Sequence, residues 1–158
     1  MTLVTLSKSI VQKNSTLKIP TTEKVIQFGT GVLLRGLPDY FIHKANQQDV
    51  FNGSIVVIKS TSNGGVDDFA NQDSLFTHCV RGVFNGKNVD EHFVNTSISR
   101  VLAANEHWNQ IIELAKSEDI EIVVSNTTEA GLVYDENDIF TNATSKSFPG
   151  KLLALLYE

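Results

Sequence analysis

A short apolar run that stops at two closely spaced glycines constrains this chain more than any other feature. Residues 24–36 read KVIQFGTGVLLRG, in which the run ends at Gly29-Thr30-Gly31 and a helical pattern follows. The run is too short for a buried helix, yet it is rich in residues that suit a buried strand. We therefore predict a strand, a tight turn and a helix, the order that opens a dinucleotide-binding fold.

Glycines in such a turn let the main chain come close to phosphate oxygens, because they have no Cβ and tolerate a positive φ. The helix that follows adds free N–H groups. The spacing here is G-x-G-x-x-x-x-G, with Leu34 in place of the third glycine of the common fingerprint. A strand-to-helix turn without a ligand would also explain Gly29 and Gly31, so the motif alone leaves both interpretations open.

Arg35 favours the interpretation as a binding site. We expect it in the first turn of the helix, where a cation opposes the helix dipole. An anionic ligand or a carboxylate partner explains an arginine there better than helix stability does.

A second strand is predicted after the helix. The intervening residues form one apolar stripe of the kind that faces a core, made up of Leu33, Leu34, Leu37, Phe41 and Ala45. Pro38 lies inside this pattern, which indicates that the regular helix starts near Leu37. Ile55 to Ile58 then form a β-branched run. Strand, helix and strand make a βαβ unit, so we expect two parallel, neighbouring strands.

A β-hairpin is predicted from two strand-like runs, Thr77 to Phe84 and Val89 to Val94, on either side of Asn85-Gly86-Lys87-Asn88. Cys79 lies in the first run without a base beside it in sequence, so we interpret it as a buried, inert thiol. The histidines lie at no ligand spacing, and we interpret them as surface or satisfied core residues. No metal site is expected.

Two strands and two helices complete the predicted fold, at Ser97 to Leu102, Glu106 to Lys116, Ile120 to Ser125 and Pro149 to Tyr157. Asn105 is placed to cap the first of these helices, and Trp108 lies on its apolar stripe. The strand from Ile120 is expected to be buried, whereas residues 1–22 are interpreted as an extended surface arm. We predict a Rossmann-like, doubly wound α/β domain over residues 23–158, with a mostly parallel sheet and the hairpin as an insertion.

Polar residues follow two of the predicted strands. Lys59-Ser60 come after the second strand, where dinucleotide sites often carry an acidic residue. Asn126-Thr127-Thr128 follow the strand that ends at Ser125. Ligands of open parallel sheets lie beyond the carboxyl ends of the strands, so these groups would share a crevice with the glycine turn. Equally, Lys59 suits a solvated strand end and the asparagine and threonines suit a capped turn.

Composition excludes several classes of protein. The net charge is −5 and the 13 basic residues are scattered singly, which argues against a general nucleic-acid binder. The single cysteine cannot form an internal disulfide and fits a reducing compartment. No stretch has the length of a membrane span or the pattern of a signal peptide. We therefore expect a cytoplasmic chain that binds neither nucleic acid nor membrane.

Five ordered blocks of the sequence resemble the mannitol dehydrogenase family of polyol-specific long-chain dehydrogenases. They read VIQFGTGVLLRG, FNGSIVVIKST, QDSLFTHCVRG, VVSNTTEAGL and SFPGKLLALLYE. The resemblance implies a Rossmann-like domain that binds NAD and takes part in hydride transfer between D-altronate and D-tagaturonate. It also implies that the catalytic lysine, with its asparagine and histidine companions, belongs to a second, mainly helical domain absent from this chain, which would also hold the sugar-acid substrate. No catalytic residue is therefore assigned here.

The predicted cofactor residues fall into three groups. The pyrophosphate is assigned to the glycine turn and the helix after it, the adenosine ribose to the end of the second strand, and the nicotinamide side to the residues after Ser125. In that order they are Gly29, Thr30, Gly31, Leu33 and Arg35, then Lys59 and Ser60, then Asn126, Thr127 and Thr128. Since Lys59 could accept a 2′-phosphate, NADP remains an alternative to NAD.

Other functions fit the same pattern. A related fructuronate, mannonate or polyol dehydrogenase would look similar in this part of its sequence. A non-catalytic nucleotide-sensing module is an alternative from a different class. A methyltransferase is disfavoured, because Lys59 stands where such a fold usually carries an acidic residue.

Overall fold

The computed structural model describes residues 5–14, 16–59, 67–138 and 145–157. In chain order its elements are α1 (Lys8–Asn14), β1 (Glu23–Phe28), α2 (Val32–Gly36), α3 (Pro38–Gln47), β2 (Ser54–Lys59), α4 (Asp67–Ala70), β3 (Phe76–Phe84), β4 (Lys87–Asn95), β5 (Ile98–Ala103), α5 (Ala104–Ala115), β6 (Ile122–Ser125) and α6 (Phe148–Tyr157).

The central sheet has the order β5-β2-β1-β6, and every neighbouring pair of its strands is parallel. β1 lies directly beside β2, as the βαβ pattern predicted. The order corresponds to 3-2-1-4 of a doubly wound fold, in which the chain changes direction across the sheet between the first and fourth strands. The predicted fold class is confirmed, and the change of direction falls between β1 and β6.

Apolar side chains cover both faces of the sheet. On one face, Ile26 and Ile58 belong to a core that includes Trp108 of α5 and Leu155 of α6. On the other face, Val25 and Val57 form a smaller core with partly buried side chains from α3 and from the segments around β3. Every residue of β2 is buried. Burying one large aliphatic side chain fully stabilises a fold by about 1.5–3 kcal/mol, so these two layers hold the sheet together.

The helix after the glycine turn is divided at Leu37, whose φ of −121° and ψ of −79° are not helical. α3 starts at Pro38, as predicted, because proline is tolerated in the first helical turn. The prediction of one buried apolar stripe is wrong. Leu34 is buried, but Leu37 and Phe41 are 52% and 59% exposed, since the break at Leu37 ends the helical periodicity that the stripe assumed.

Polar residues take the buried face of α3 instead. Asp39, His43 and Asn46 are the buried residues of this helix. The Asn46 amide makes two hydrogen bonds to one residue, because its Nδ2 donates to Gly53 O at 2.9 Å and its Oδ1 accepts from Gly53 N at 3.1 Å. α3 is therefore fixed to the chain around Gly53 largely by hydrogen bonds.

We predicted an extended amino-terminal arm, but part of this segment is helical. Residues 8–14 form α1, and the N–H of Ile10 donates to the Ser7 hydroxyl at 3.4 Å, a capping contact that the sequence analysis missed. Val11 is buried, which gives this helix an apolar contact with the rest of the chain.

Two predictions about the second half of the chain are also wrong. Asn105 does not cap α5, because β5 passes directly into the helix and Ala103 occupies the N-cap position without a side-chain bond. β6 is not buried, since only β1 pairs with it among the described residues and Ile122 and Val123 are 42% and 38% exposed. Trp108 is buried in the core, as predicted.

The hairpin is confirmed and is tighter than predicted. β3 and β4 pair in antiparallel register from Phe76↔Asn95 to Phe84↔Lys87, so only Asn85 and Gly86 form the turn. Their φ angles of 50° and 74° match a turn that asparagine and glycine favour. α6 is also confirmed, with Leu153 and Leu156 exposed on its surface. None of the helices in the described ranges is long and apolar enough to cross a membrane.

Candidate functional site

The glycine turn opens at the carboxyl edge of the sheet. Phe28, the last residue of β1, lies opposite Ile58 of β2 on one side and Ser125 of β6 on the other. Gly29 and Asn126 follow strand ends, and Lys59 ends β2, so all three lie at the same edge of the sheet. This edge of an open parallel sheet is where such folds bind their ligands, most often at the point where the strand order reverses.

The backbone conformation demands a glycine at only one of the two positions. Gly29 has a φ of +112°, a conformation that disfavours any side chain, and its N–H donates to Ile58 O at 2.9 Å. Gly31 has an ordinary φ of −65° and is the N-cap residue of α2. A Cβ added at Gly31 would lie 3.7 Å from Asn126 Nδ2, an ordinary contact. The fold needs a glycine at 29, whereas the chain itself leaves room for a side chain at 31.

Asn126 lies across the crevice from both glycines. A Cβ at Gly29 would be 3.5 Å from Asn126 Oδ1, so the amide stands directly beside the turn. The side chain is exposed and forms no hydrogen bond to any described residue. A free amide at this place can bind a ribose hydroxyl or a carboxamide.

Thr127 and Thr128 have different environments. The Thr127 hydroxyl bonds to Ser125 Oγ at 2.7 Å and its N–H donates to the same oxygen, which forms the local capped turn that the sequence left open. Thr128 precedes a short 3₁₀ turn at Glu129–Gly131 without a side-chain cap, and it is exposed. Of the three polar residues, Asn126 and Thr128 are the ones whose side chains are free for a ligand.

Lys59 ends β2 at the same edge. Its side chain is mostly buried, and no described residue forms a hydrogen bond or ion pair with it. A lysine that is mostly buried without a described partner can pair with an anion. Ser60, predicted beside it, lies outside the described residues.

Thr30 and Leu33 lie in the turn and in α2, as predicted, with Thr30 half-buried and Leu33 60% exposed. Arg35 is not in a first turn, because α2 has five residues and Arg35 is in its last turn. Its guanidinium lies over the rings of Phe69 and Phe76, with centroid distances of 5.6 Å and 5.9 Å. The dipole argument for Arg35 was therefore wrong.

Arg35 lines a cavity of about 220 Å³ between α2 and the first half of β3. Its Nε is shielded from solvent and has no hydrogen-bond partner among the described residues. A half-buried guanidinium with an unpaired nitrogen beside a cavity is a suitable contact for a carboxylate or a phosphate.

Two polar residues that the sequence analysis missed lie beneath the turn. Gln27 is fully buried in β1, and its Nε2 donates to Gly29 O at 3.3 Å. Asp39 is also fully buried, and neither of its carboxylate oxygens has a hydrogen bond of normal geometry to a described residue. Burial raises the pKa of Asp39 to about 7, although Gln27 and the charge of Arg35 partly oppose this. The only signal in the sequence was Gln27, a polar residue within an apolar run.

The pKa of the neighbouring His43 is shifted downwards, opposite to that of Asp39. The N–H of Thr96 donates to His43 Nδ1 at 3.2 Å, and the ring stacks on Phe93 at 5.0 Å. Burial, with smaller effects from Lys44 and His78, lowers the pKa of His43 to about 4. His43 is therefore a neutral, satisfied core residue near neutral pH, as the sequence analysis interpreted it.

The interpretation of Cys79 as a buried thiol without a base is wrong. Cys79 is exposed, and its Sγ lies 3.0 Å from Nδ1 of His92. The two residues are 13 positions apart in sequence but lie opposite each other in the hairpin. The strand register, which a sequence does not state, is what brings them together.

The parallel sheet, its order and the glycine turn at the point of reversal define a class of protein, the dinucleotide-binding α/β domains of Rossmann type. The described residues contain no cluster of histidine, cysteine and carboxylate side chains that could hold a metal ion.

Sequence comparison relates the chain to altronate oxidoreductases. It is 46% identical to the altronate oxidoreductase of Halalkalibacterium halodurans over 98% of this chain and 30% of that protein. Identity is 42% to the Bacillus subtilis protein of the same name and 35% to that of Bacteroides thetaiotaomicron, over 85% and 93% of this chain and 28% and 31% of those proteins. The chain thus spans about 30% of the length of the curated relatives it matches.

Solved structures give the same result for the fold. A complex of Pseudomonas fluorescens mannitol 2-dehydrogenase with NAD and D-mannitol matches 98% of this chain and 35% of its own, with a TM-score of 0.77 and 24% identity. A D-sorbitol dehydrogenase in substrate-free form matches 98% of this chain and 36% of its own, with a TM-score of 0.72 and 17% identity. A scan against protein-family profiles found no match. The predicted resemblance is confirmed: the chain is similar to altronate oxidoreductases over nearly its whole length, and it has the same fold as mannitol 2-dehydrogenase.

Proposed function

We propose that this chain is the NAD(H)-binding domain of an oxidoreductase that interconverts D-altronate and D-tagaturonate by hydride transfer, a tagaturonate reductase. The observation that carries the proposal is the crevice at the carboxyl edge of the sheet, where the glycine turn and Asn126 meet between β1 and β6. The relatives named altronate oxidoreductase and the NAD complex of the structural neighbour support the choice of reaction and cofactor. They do not favour a nucleotide-sensing module.

The main chain around Gly29 and Gly31 would hold the pyrophosphate. The first N–H groups of α2 have no partner within the helix and can donate to phosphate oxygens. α2 is only five residues long, so these individual donors matter more than a helix dipole. Gly31 has no side chain of its own, so a phosphate could approach its backbone beside the Asn126 amide.

The strand ends on either side would hold the rest of the dinucleotide. Lys59 at the end of β2 would lie near the adenosine ribose, with Ser60 beside it. Asn126 and Thr128 at the end of β6 would lie near the nicotinamide, with Thr127 shaping the turn between them. Arg35 would supply a positive charge from the last turn of α2. When bound, NAD supplies the hydride chemistry, and these residues would bind and orient it.

The group that moves the hydroxyl proton is proposed to lie outside this chain. Hydride transfer also needs a positioned acid or base and a site for the sugar acid, and we assign neither to the described residues. Exposed apolar side chains flank the crevice: Val32, Leu33, Leu37 and Phe41 beside the turn, and Leu132, Val133 and Tyr134 after Asn126. We propose that the part of the polypeptide that supplies the proton-transfer group packs on this surface in the cytoplasmic enzyme.

Binding of NADH to a Gly31→Val variant tests the proposal directly. A Cβ at this position makes no close contact within the chain, so the variant should fold normally. If the pyrophosphate approaches this backbone, isothermal titration should show the Kd for NADH rising at least about tenfold, equivalent to about 1.4 kcal/mol. NADPH, titrated in parallel, reports on the role of Lys59.

Gly82→Val is the matched control, because Gly82 lies in the hairpin with nothing within 4 Å of an added Cβ. It should bind NADH as the parent chain does. The proposal is rejected if neither nucleotide binds the parent chain or a longer polypeptide that includes the rest of the enzyme. It is also rejected if Gly31→Val and the parent chain have the same affinity.

A further inference from the structure

One face of the hairpin carries a cysteine, a histidine and a carboxylate that the proposed function does not use. In the register of β3 and β4, Cys79 lies opposite His92 and Arg81 lies opposite Asp90. Side chains of a strand alternate between its two faces, so these four side chains project from the same face. The opposite face carries His78 and Phe93, which stack on each other at 5.0 Å and contact Tyr40 of α3.

Cys79, His92 and Asp90 form a continuous chain of contacts. Cys79 Sγ lies 3.0 Å from His92 Nδ1, and His92 Nε2 lies 3.0 Å from Asp90 Oδ1. Because a carboxylate can only accept a hydrogen bond, His92 Nε2 must carry the hydrogen in this contact. In the neutral ring, Nδ1 then has the free lone pair and faces the thiol. The imidazole is thus oriented to take the proton from sulfur.

The same carboxylate also pairs with Arg81, whose Nε donates to Asp90 Oδ1 at 2.9 Å. Arg81 holds Asp90 in place and adds a positive charge on the face that carries the thiol. The two requirements for an activated cysteine are a neighbouring base or positive charge and access to solvent. Cys79 satisfies both, because it is exposed and lies beside His92.

Cys79 also borders the cavity that contains Arg35. The cavity has a volume of about 220 Å³, and its lining includes Thr77 and Val32. The Nε of Arg35 is shielded from solvent and unpartnered among the described residues. Arg35 lies over Phe76, on the face of β3 opposite the thiol, so a small molecule joined to Cys79 would bring an acidic group near the positive charge of Arg35 through the cavity that both residues line.

We propose that Cys79 is a site of thiol–disulfide exchange that takes a low-molecular-weight disulfide bearing carboxylates. His92 removes the thiol proton, and the Cys79 thiolate attacks one sulfur of the disulfide. A new S–S bond forms between Cys79 and that sulfur while the original S–S bond breaks. The departing thiolate takes the proton from His92. Cys79 is oxidised, half of the disulfide is reduced to a free thiol, and no other oxidant is needed.

Oxidised glutathione is the probe for this proposal. Cys79 is the single cysteine of the chain, so the intact mass reports its mixed disulfide without ambiguity. The rate is measured between about pH 6 and 9, a range that includes the ordinary thiol pKa of about 8.5. We expect the parent chain to react at least about tenfold faster at pH 7 than His92→Asn. Asp90→Asn should be slowed less, because it misorients the base without removing it.

Controls distinguish activation of the thiol by His92 from the effect of solvent exposure alone. Asn88→Ala, on the same hairpin, should react as the parent chain does, and Cys79→Ser should not react. Free cysteine at the same pH gives the reference rate for an unassisted thiol. The proposal is wrong if the parent chain reacts no faster than free cysteine, or if His92→Asn keeps its rate and pH profile.

A second disulfide tests the chemical class of the ligand. Cystamine has the same S–S bond but carries ammonium groups in place of carboxylates. Relative to free cysteine, the parent chain should favour oxidised glutathione over cystamine by several-fold. Equal preference would overturn the assignment of a carboxylate-bearing disulfide. This experiment involves no nucleotide, so its failure would be distinguishable from a failure of the proposed function.

Discussion

The helices α3 and α5 pack on opposite faces of the same sheet, yet they bury opposite kinds of side chain. α5 buries Trp108, Ile111 and other apolar residues, as an amphipathic helix of a stable domain does. α3 buries Asp39, His43 and Asn46 and leaves Phe41 exposed.

The difference separates stability from function. The α5 face holds the fold by apolar burial, which hardly depends on pH. The α3 face lies beneath the glycine turn and contains two titratable groups with displaced pKa values. Displaced pKa values are commonest where a fold serves a ligand. Four substitutions test whether the two faces differ in this way.

The largest effect is expected for Trp108→Ala on α5. Trp108 is 5% exposed and belongs to the main core, so its truncation should lower the free energy of unfolding by about 3–5 kcal/mol. Urea unfolding with an unchanged m-value measures this loss. Gln110→Ala, an exposed change on the same helix, should stay within about 0.5 kcal/mol of the parent. A similarly small effect of Trp108→Ala would mean that α5 does not carry the core.

Asp39→Asn should change how stability depends on pH. The folded pKa of about 7 exceeds the unfolded value of 3.8, so the native state holds the extra proton between these values and the parent loses stability as pH rises through that window. Relative to the parent, the variant should therefore gain about 4 kcal/mol between pH 4 and pH 8, at about 1.36 kcal/mol per pKa unit. Thermal unfolding at a series of pH values measures the gain. If the difference in stability between variant and parent did not vary with pH, the pKa of Asp39 would not be raised in the folded state.

His43→Asn should have the opposite pH dependence. The folded pKa of about 4 lies below the unfolded value of 6.5, so His43 makes the parent more stable as pH rises from about 4 to 6.5. Replacing it should remove about 3 kcal/mol of that rise, at about 1.36 kcal/mol per pKa unit. In the parent, the effects of Asp39 and His43 nearly cancel between pH 4 and 6.5. If the stability of the parent changed steeply with pH in this range, the two effects would not cancel as expected.

The smallest effect is expected for Phe41→Ser on the outer side of α3. Phe41 is 59% exposed, so the free energy of unfolding should change by no more than about 0.5 kcal/mol. Its neighbour Ile42 packs against the smaller core, and Ile42→Ser should cost on the order of 2 kcal/mol or more. Urea unfolding compares the two. If both variants lost the same free energy of unfolding, the side of α3 that carries Phe41 would not be solvent-exposed as described.

The sequence predicted the parts of the structure that depend on local pattern. β1 and β2 follow from β-branched runs, the break before α3 follows from Pro38, and the hairpin turn follows from Asn85-Gly86. The position of the crevice followed from the general rule that ligands lie beyond the carboxyl ends of parallel strands, whereas the strand order was not predicted. In the site, Gly29 and Asn126 were predicted and do meet, because parallel strands end at a common edge.

The parts that sequence reasoning missed depend on contacts between distant residues. The burial of Asp39 follows from how α3 rests on the sheet, not from the pattern of α3 itself. The position of Arg35 depends on where Phe69 and Phe76 pass over α2. Cys79 and His92 become neighbours only through the strand register. β6 has the composition of a buried strand, but it has one neighbour among the described residues.

β6 also leaves one row of main-chain donors and acceptors without a partner strand in the described part of the chain. An open sheet margin of this kind can template any extended peptide, including the same segment of another molecule. At high concentration, two copies of the chain should therefore associate reversibly by pairing their β6 edge strands. Titrations and unfolding curves are best recorded over a dilution series, so that self-pairing is not counted as nucleotide affinity or as folding free energy.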